Sequence, residues 1–223
     1  MKLLEAVIFD MDGVLIDSEK EYRRVELNLA KELGIPFTAQ EQSGYVGIHQ
    51  QVMWEEVLAK HGMDLDADEI TQTEEDRMFE YYAHGELDAI APSVKLVKQL
   101  FDNGIKCGVA TSSIEINADA VLKRLGIDKK LSALVCSCMV ENCKPAPDIY
   151  SKCVADLGVN AGGCVAIEDS KNGCISAKSA GLKVIGYANP TSGNQDLSAA
   201  DVVVDDMSEV TTALLRSMFE QRD

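Results

Sequence analysis

The chain combines 223 residues with a 46% hydrophobic content, so it can bury one sizeable core and carry a small accessory module. Its formal net charge of −16 argues against nucleic acid and acidic membrane surfaces as partners, because those are bound through basic patches. Seven cysteines are an odd number in a chain too large to need disulfide staples, which suits a reducing cytoplasm, and no apolar run approaches membrane-spanning length.

The first element is an apolar run from Leu3 to Phe9, which reads as a buried strand with Lys2 leading in. An acid sits within that run and the strand follows at once, so no signal peptide is expected. The run ends in Asp10-Met11-Asp12-Gly13, which places two carboxylates one residue apart just past a strand end. In an open α/β sheet ligands bind at that end. Gly13 allows a sharp turn and close approach of the backbone to a ligand. Two crowded acids raise each other's pKa unless a cation neutralises them, and a hard divalent ion such as Mg²⁺ is the natural partner. The same pair would also serve as ordinary turn or helix-cap chemistry.

Helical spacing follows over Glu19–Leu33, stopping at Gly34 with Pro36 beyond. Gln50–Lys60, closed by Gly62, and Glu69–Tyr82 are further predicted helices with no strand between them. From Pro92 the pattern alternates. Strands are expected near 105–110, 133–136, 163–167, 182–186 and 201–204, and helices near 93–103, 115–125, 148–157, 171–180 and 208–219. The predicted fold is therefore α/β: a doubly wound, mainly parallel, Rossmann-like sheet with an inserted helical module. Residues 1–15 and 89–223 would form the core domain and residues 16–88 the insertion.

Chemistry-bearing residues recur at the later strand ends. Thr111-Ser112-Ser113 closes the second strand, where a hydroxyl and the N–H groups of the next helix suit a phosphate oxygen, or simply cap that helix. Lys144 precedes the Pro145-Ala146-Pro147 turn, which gives it a well-defined point of departure, although solvation is the default for a single lysine. Cys164–Ile167 runs into Glu168-Asp169-Ser170, a second acidic pair, with Ser170 placed to cap the helix that follows. Cys136, Cys138 and Cys143 match no usual zinc spacing and have no histidine nearby, so they read as thiols.

Taken together, the motifs resemble the haloacid dehalogenase superfamily of phosphohydrolases, and closely its β-phosphoglucomutase-like branch. DxDGxxxDS matches at Asp10 to Ser18, the strand-end hydroxyl at Thr111, KPxPxxY at Lys144 to Tyr150, and EDSxxG at Glu168 to Gly173. The resemblance covers nearly the whole chain. It implies that Asp10 is a nucleophile forming an aspartyl-phosphate and Asp12 the general acid/base. It also implies that Thr111, Ser112 and Lys144 hold the phosphoryl group, and that Mg²⁺ is held by Asp10, the main-chain carbonyl of Asp12, Asp169 and possible ligand Glu168. Residues 16–88 would be a helical cap over the site.

Three departures bear on the reaction. The family's cap Lys and Arg are missing from Val46-Gly47-Ile48-His49-Gln50, and its Lys-Asn pair after the strand-end hydroxyl is here Ile114-Glu115. The cap histidine of the family aligns with Tyr22. Glu115 near a second phosphate would repel it by about 1 kcal/mol or more. Hydrolysis is thus favoured over a phosphosugar mutase; a catalytically idle binding protein and a dehalogenase proper are the remaining readings. Tyr22, His49 and Gln50 are the candidate substrate contacts of the cap, whereas Tyr45 and Trp54 read as cap core. His61 reads as a helix-dipole partner at a helix C-terminus. The expected enzyme is a cytoplasmic monomer or weak dimer acting on a small phosphorylated molecule, a sugar or polyol phosphate by resemblance.

Overall fold

A computed structural model describes residues 4–45 and 48–220. Six parallel strands form one sheet in the order β3-β2-β1-β4-β5-β6. They are β1 (Ala6–Phe9), β2 (Lys106–Thr111), β3 (Ala133–Cys136), β4 (Cys164–Glu168), β5 (Lys183–Tyr187) and β6 (Val202–Val204). The strand order reverses between β1 and β4, and such a switch point opens a crevice at the carboxyl ends of the strands. The α/β doubly wound fold expected from the alternating pattern is the fold observed.

The central strands are buried on both faces, which is why they read as unbroken apolar runs. Alternate residues feed two cores. Val7, Phe9, Val109, Val165 and Ile167 face one helical layer, while Ala6, Ile8, Ala110 and Ala166 face the other. In register, Phe9 stands between Val109 of β2 and Ile167 of β4, and the Asp10 amide continues the ladder by donating to the Ile167 carbonyl at 3.0 Å. The switch point therefore sets Asp10 level with the acidic end of β4.

Among the described residues four helices lie between β1 and α5 (Ala91–Asp102): α1 (Glu19–Glu32), the single turn α2 (Ala39–Gln42), α3 (Gln50–His61) and α4 (Ala67–His84). The chain leaves and re-enters the sheet region through two segments lying side by side. Asp17 donates to the Asp88 carbonyl at 2.8 Å and Ile90 to the Leu15 carbonyl at 3.0 Å. Gly34 and Gly62 stop α1 and α3 with φ of 71° and 62°, a left-handed conformation that glycine adopts without steric cost. The far end of α4 is clamped to α6 (Glu115–Leu125) by Arg124, which donates to the Tyr82 carbonyl at 2.8 Å and the Gly85 carbonyl at 2.7 Å. Cationic capping of the last carbonyls suits the negative end of the helix dipole.

Helices α7 (Asp148–Leu157) and α8 (Lys171–Ser179) fall where the sequence places them. The C-terminal helix does not run through 208–219 as expected. Asp206 and Glu209 close a single 3₁₀ turn as a reciprocal capping box, and Val210 is then drawn into the core at 4% exposure. Thr211 restarts the chain as an extended N-cap, so the final helix α9 covers only Thr212–Ser217. Among the described residues no helix is long and apolar enough to cross a membrane.

Gly108 of β2 shows how closely the layers pack. A Cβ there would stand 2.7 Å from the Cys153 sulfur and 3.2 Å from a Leu157 methyl, both on α7. Gly108→Ala is expected to cost roughly 1–3 kcal/mol of unfolding free energy in urea melts, the range for overpacking a filled core. Adding Cys153→Ala should recover part of that loss. Additive losses in the double variant would contradict the packing assignment.

Candidate active site

The strand ends converge on a cavity of about 110 Å³ between the sheet and helices α1 to α3. Asp10, Glu168 and Asp169 each direct a carboxylate oxygen into one cluster, with those oxygens all within 4.8 Å of one another. All three residues are buried. Such crowding of like charges in a low-dielectric site is sustainable only with compensation.

Lys144 supplies the first part of it. Its side chain is 6% exposed and its ammonium donates to Asp10 Oδ1 at 2.7 Å, Glu168 Oε1 at 2.6 Å and the Ala110 carbonyl at 3.0 Å. Three acceptors match its three N–H donors. Burial alone would push this lysine down, but Asp10 and Glu168 hold it above its ordinary value. Glu168 is in turn fixed by the Tyr150 hydroxyl on Oε1 at 2.6 Å and by Ser170 Oγ on Oε2 at 3.1 Å. Both of its oxygens thus have protein donors, and its chief structural effect is to aim Lys144. Ser170 also accepts from the Gly173 amide at 3.0 Å, capping α8 as the sequence suggested. A Cβ on Gly173 would fall inside the Glu168 carboxylate, so only glycine fits there.

Asp10 remains well above the usual carboxylate range. Burial is the largest cause; Lys144 opposes it, and Glu168, Asp169 and Asp12 add to it. Asp169 is raised similarly, by burial and then by Glu168, against a hydrogen bond from Ser192 Oγ. One ammonium among three carboxylates leaves two negative charges over when all are ionised. Oxygen donors, burial and that surplus fit a hard divalent cation. A Cβ on Gly13 would land on Asp169, so the loop after β1 approaches this cluster as closely as a glycine permits.

Asp12 points elsewhere. Its carboxylate accepts from Ser18 Oγ at 2.6 Å, the Tyr82 hydroxyl at 2.8 Å and Ser113 Oγ at 2.7 Å. Neighbouring acids of one motif are therefore separated: Asp10 joins the lysine and acid cluster, Asp12 a ring of hydroxyls. The Tyr22 hydroxyl lies 3.2 Å from that of Tyr82. Thr111 Oγ1 accepts from the Ser113 amide at 3.1 Å, which keeps its own hydrogen for another acceptor. Thr111 and Ser112 both line the cavity.

Tyr22, His49 and Gln50 also line it, along with Tyr45, Glu19, Glu26 and Gln42. Burial pushes His49 down from its ordinary value. Tyr45 thus does more than fill the helical core, although its ring also packs 6.1 Å from that of Phe37. Trp54 is core, donating to Glu74 at 2.6 Å. His61 lies 3.0 Å from Glu41 at the end of α3. Val46 and Gly47 fall outside the described residues. Glu115 needs correction: it opens α6 as an exposed side chain and lines no part of the cavity, because the helix turns it outward and presents Ile114 and Asn117 on the inner side. The carboxyl groups on the helical side of the lining come instead from Glu19 and Glu26. Cys143 lines the cavity, Cys138 is exposed, and the cysteines are free thiols.

Sequence reasoning passed over Tyr82, Ser192 and Asn189. Asn189 donates to the Gly13 carbonyl at 2.9 Å and, with Ser192, comes from the loop after β5. The turn-rich stretch Asn189-Pro190-Thr191-Ser192-Gly193 at a strand's carboxyl end was the available signal. Nothing in the helical spacing marks Tyr82.

A parallel sheet with acid, hydroxyl, lysine and acid pair at its switch point defines an α/β enzyme built to handle an anionic group beside a cation. Residues 7–187 match the sequence profile of the haloacid dehalogenase-like hydrolases, and the chain belongs to that family. It falls in the β-phosphoglucomutase-like branch and is a phosphoric monoester hydrolase. It is 30% identical to β-phosphoglucomutase of Bacillus subtilis strain 168 over 227 aligned residues, covering 98% of this chain and 96% of that one. It is 29% identical to hexitol phosphatase B of Escherichia coli K12 over 226, covering 92% and 94%. The crystal structure of CbbY from Rhodobacter sphaeroides in complex with phosphate superposes with a TM-score of 0.83 at 25% identity, covering 96% of this chain and all of that one.

A second group of buried acids lies among the helices. Glu26 accepts from Gln42 at 2.7 Å, and burial lifts it to about 7; burial and then Glu26 lift Glu74 to about 8. The folded chain thus keeps protons that an unfolded carboxylate, near 4.5, has released. Stability should fall as pH rises from about 5 to about 8, by on the order of 1–3 kcal/mol for each such group. Glu26→Gln should flatten that fall in thermal melts taken across the window. An undiminished fall would show that these acids ionise freely in the folded state.

Proposed function

We propose that the chain is a Mg²⁺-dependent phosphatase of small phosphomonoesters, sugar or polyol phosphates, working through an aspartyl-phosphate on Asp10. The observation that carries the proposal is the separation of the two motif acids. Asp10 is paired with Lys144 inside the acid cluster, while Asp12 is ringed by hydroxyls elsewhere on the cavity wall. The first arrangement suits a nucleophile and the second a proton carrier.

In this reading Asp10 attacks phosphorus through the oxygen that does not face Lys144, splitting one difficult displacement into two easier ones. Lys144 stays fixed as a buried positive charge beside the nucleophile and tempers the repulsion between two anions. Thr111 and Ser112 donate hydrogen bonds to the phosphoryl oxygens. Asp12 gives a proton to the leaving alcohol and then takes one from the water that hydrolyses the intermediate. Asp10 and Asp169, with the main-chain carbonyl of Asp12, are the residues that would hold Mg²⁺; Glu168 serves mainly to orient Lys144. Bound there, Mg²⁺ would neutralise charge on the cluster and on the phosphoryl group. Residues 16–88 act as a helical cap that excludes bulk water, with Tyr22, His49 and Gln50 facing the organic part of the substrate.

The lining favours hydrolysis over phosphosugar mutation. A mutase handles a bisphosphate and needs a second anion site. Among the described lining residues the only basic side chains are Lys144 and His49, while Glu19 and Glu26 face the same space. Burial, then Asp12, raises Glu19 to about 8.

Phosphate release measured across a phosphomonoester panel with Mg²⁺ should show turnover of a few sugar or polyol phosphates. Asp10→Asn should reduce it by several orders of magnitude, and chelation of the metal should abolish it. Conversion of β-glucose 1-phosphate to glucose 6-phosphate with little free phosphate would contradict the hydrolytic reading. Appreciable turnover by pure Asp10→Asn would contradict the nucleophile.

A further inference from the structure

Four buried side-chain atoms among the described residues have no hydrogen-bond partner: Thr71 Oγ1, Glu74 Oε1, Ser93 Oγ and Asn117 Oδ1. An orphaned buried polar atom is costly and rare, so each one asks for an explanation. Two of the four belong to Glu74 and Asn117, which line one and the same small cavity of about 20 Å³. Glu74 is 1% exposed and Asn117 2%. The cavity adjoins the main one, since Tyr22, His49, Gln50, Ser112 and Ser113 line both. It is therefore reached from the phosphate-handling side, past Ser113 and the acid/base Asp12 that Ser113 holds.

We infer that Glu74 of α4 and Asn117 of α6 form a recognition pocket for a hydroxyl at the unphosphorylated end of the substrate, which makes that substrate a polyhydroxy phosphomonoester. The inference rests on the phosphatase reading above and adds the residues that would read the far end of its substrate. Other groups fit the pocket less well. A second phosphate would meet Glu74 and Glu75 with no lysine or arginine in the lining. An apolar end would leave both polar atoms orphaned. An ammonium can only donate. Burial raises Glu74 to about 8, which leaves its carboxyl neutral and able to donate near neutral pH. A hydroxyl can accept from that carboxyl and donate to the Asn117 amide oxygen at the same time. The space suffices for one water, which a substrate hydroxyl would displace while reproducing its hydrogen bonds. Glu74 is held for this role by Trp54, whose indole N–H donates to Oε2 at 2.6 Å and leaves Oε1 without a protein partner.

The test compares kcat/KM for sorbitol 6-phosphate with kcat/KM for p-nitrophenyl phosphate, which has no hydroxyl to place. The protein is the full chain with Mg²⁺, as wild type, Glu74→Met and Asn117→Leu, each checked by thermal melting. The sorbitol 6-phosphate to p-nitrophenyl phosphate ratio is expected to fall about tenfold or more in each folded variant. Should one variant not fold, the other decides. A ratio within twofold of wild type in the folded variants overturns the pocket, showing that it holds only water, while p-nitrophenyl phosphate turnover still upholds the phosphatase. No turnover of either ester by wild type overturns the phosphatase reading and the pocket with it.

Discussion

The ammonium of Lys144, set between Asp10 and Glu168, is the contact on which the site depends. Asp10 leaves β1 and Glu168 ends β4, the two strands flanking the switch point, so the sheet brings two carboxylates together by its topology. Without a buried cation between them, at least one would be driven to its neutral form. Three elements cooperate to keep the lysine in place: the Ala110 carbonyl of β2, the Glu168 carboxylate of β4, and the Tyr150 hydroxyl of α7 acting through Glu168. Removing one partner of such a buried pair leaves an uncompensated charge, which costs far more than the intact pair contributes. The fold and the site are in this sense one construction.

The same contact reconciles a strongly acidic chain with an anionic substrate. A net charge of −16 repels phosphate at long range, but salt screens exposed charges beyond about 8–10 Å. Inside the cavity the balance is local. In the proposed reading Lys144 and the hydroxyls of Thr111 and Ser112 would face the phosphoryl position, and a divalent cation would offset the surplus negative charge of the acid cluster there. Acids recur on the helical side as Glu19, Glu26 and Glu74, where in the proposed reading they would meet the organic part of the substrate. Positive charge at one end and hydrogen-bonding acids at the other would orient a monoester and disfavour a bisphosphate.

Much of this was legible in the sequence because strand ends in a parallel sheet are chemically exposed and strands themselves are apolar. Asp10, Thr111, Glu168 and Asp169 each end or follow an apolar run that could only be buried, and Lys144 precedes a turn that could only be rigid. Tyr82 and Glu74 were not legible, since they lie within a helix whose pattern reports which face is covered and not what covers it. Their partners, Asp12 and Trp54, are 70 and 20 residues away in the chain. Glu115 was misread for a related reason: proximity to the strand-end hydroxyl along the chain does not say which way the first turn of α6 faces. Near the C-terminus, Val210 shows tertiary burial overriding helical spacing, because an apolar side chain entering the core is worth more than one continuous helix.

The central claim is that Asp10 carries the phosphoryl group between substrate and water. Acid-quenching the enzyme during turnover of its best phosphomonoester, followed by peptide mass mapping, tests it most directly. The account predicts a phosphate on the peptide containing Asp10, located on that aspartate by fragmentation and absent from a sample without substrate. Steady phosphate release with Asp10 unmodified, or with the phosphate on another residue, would contradict it.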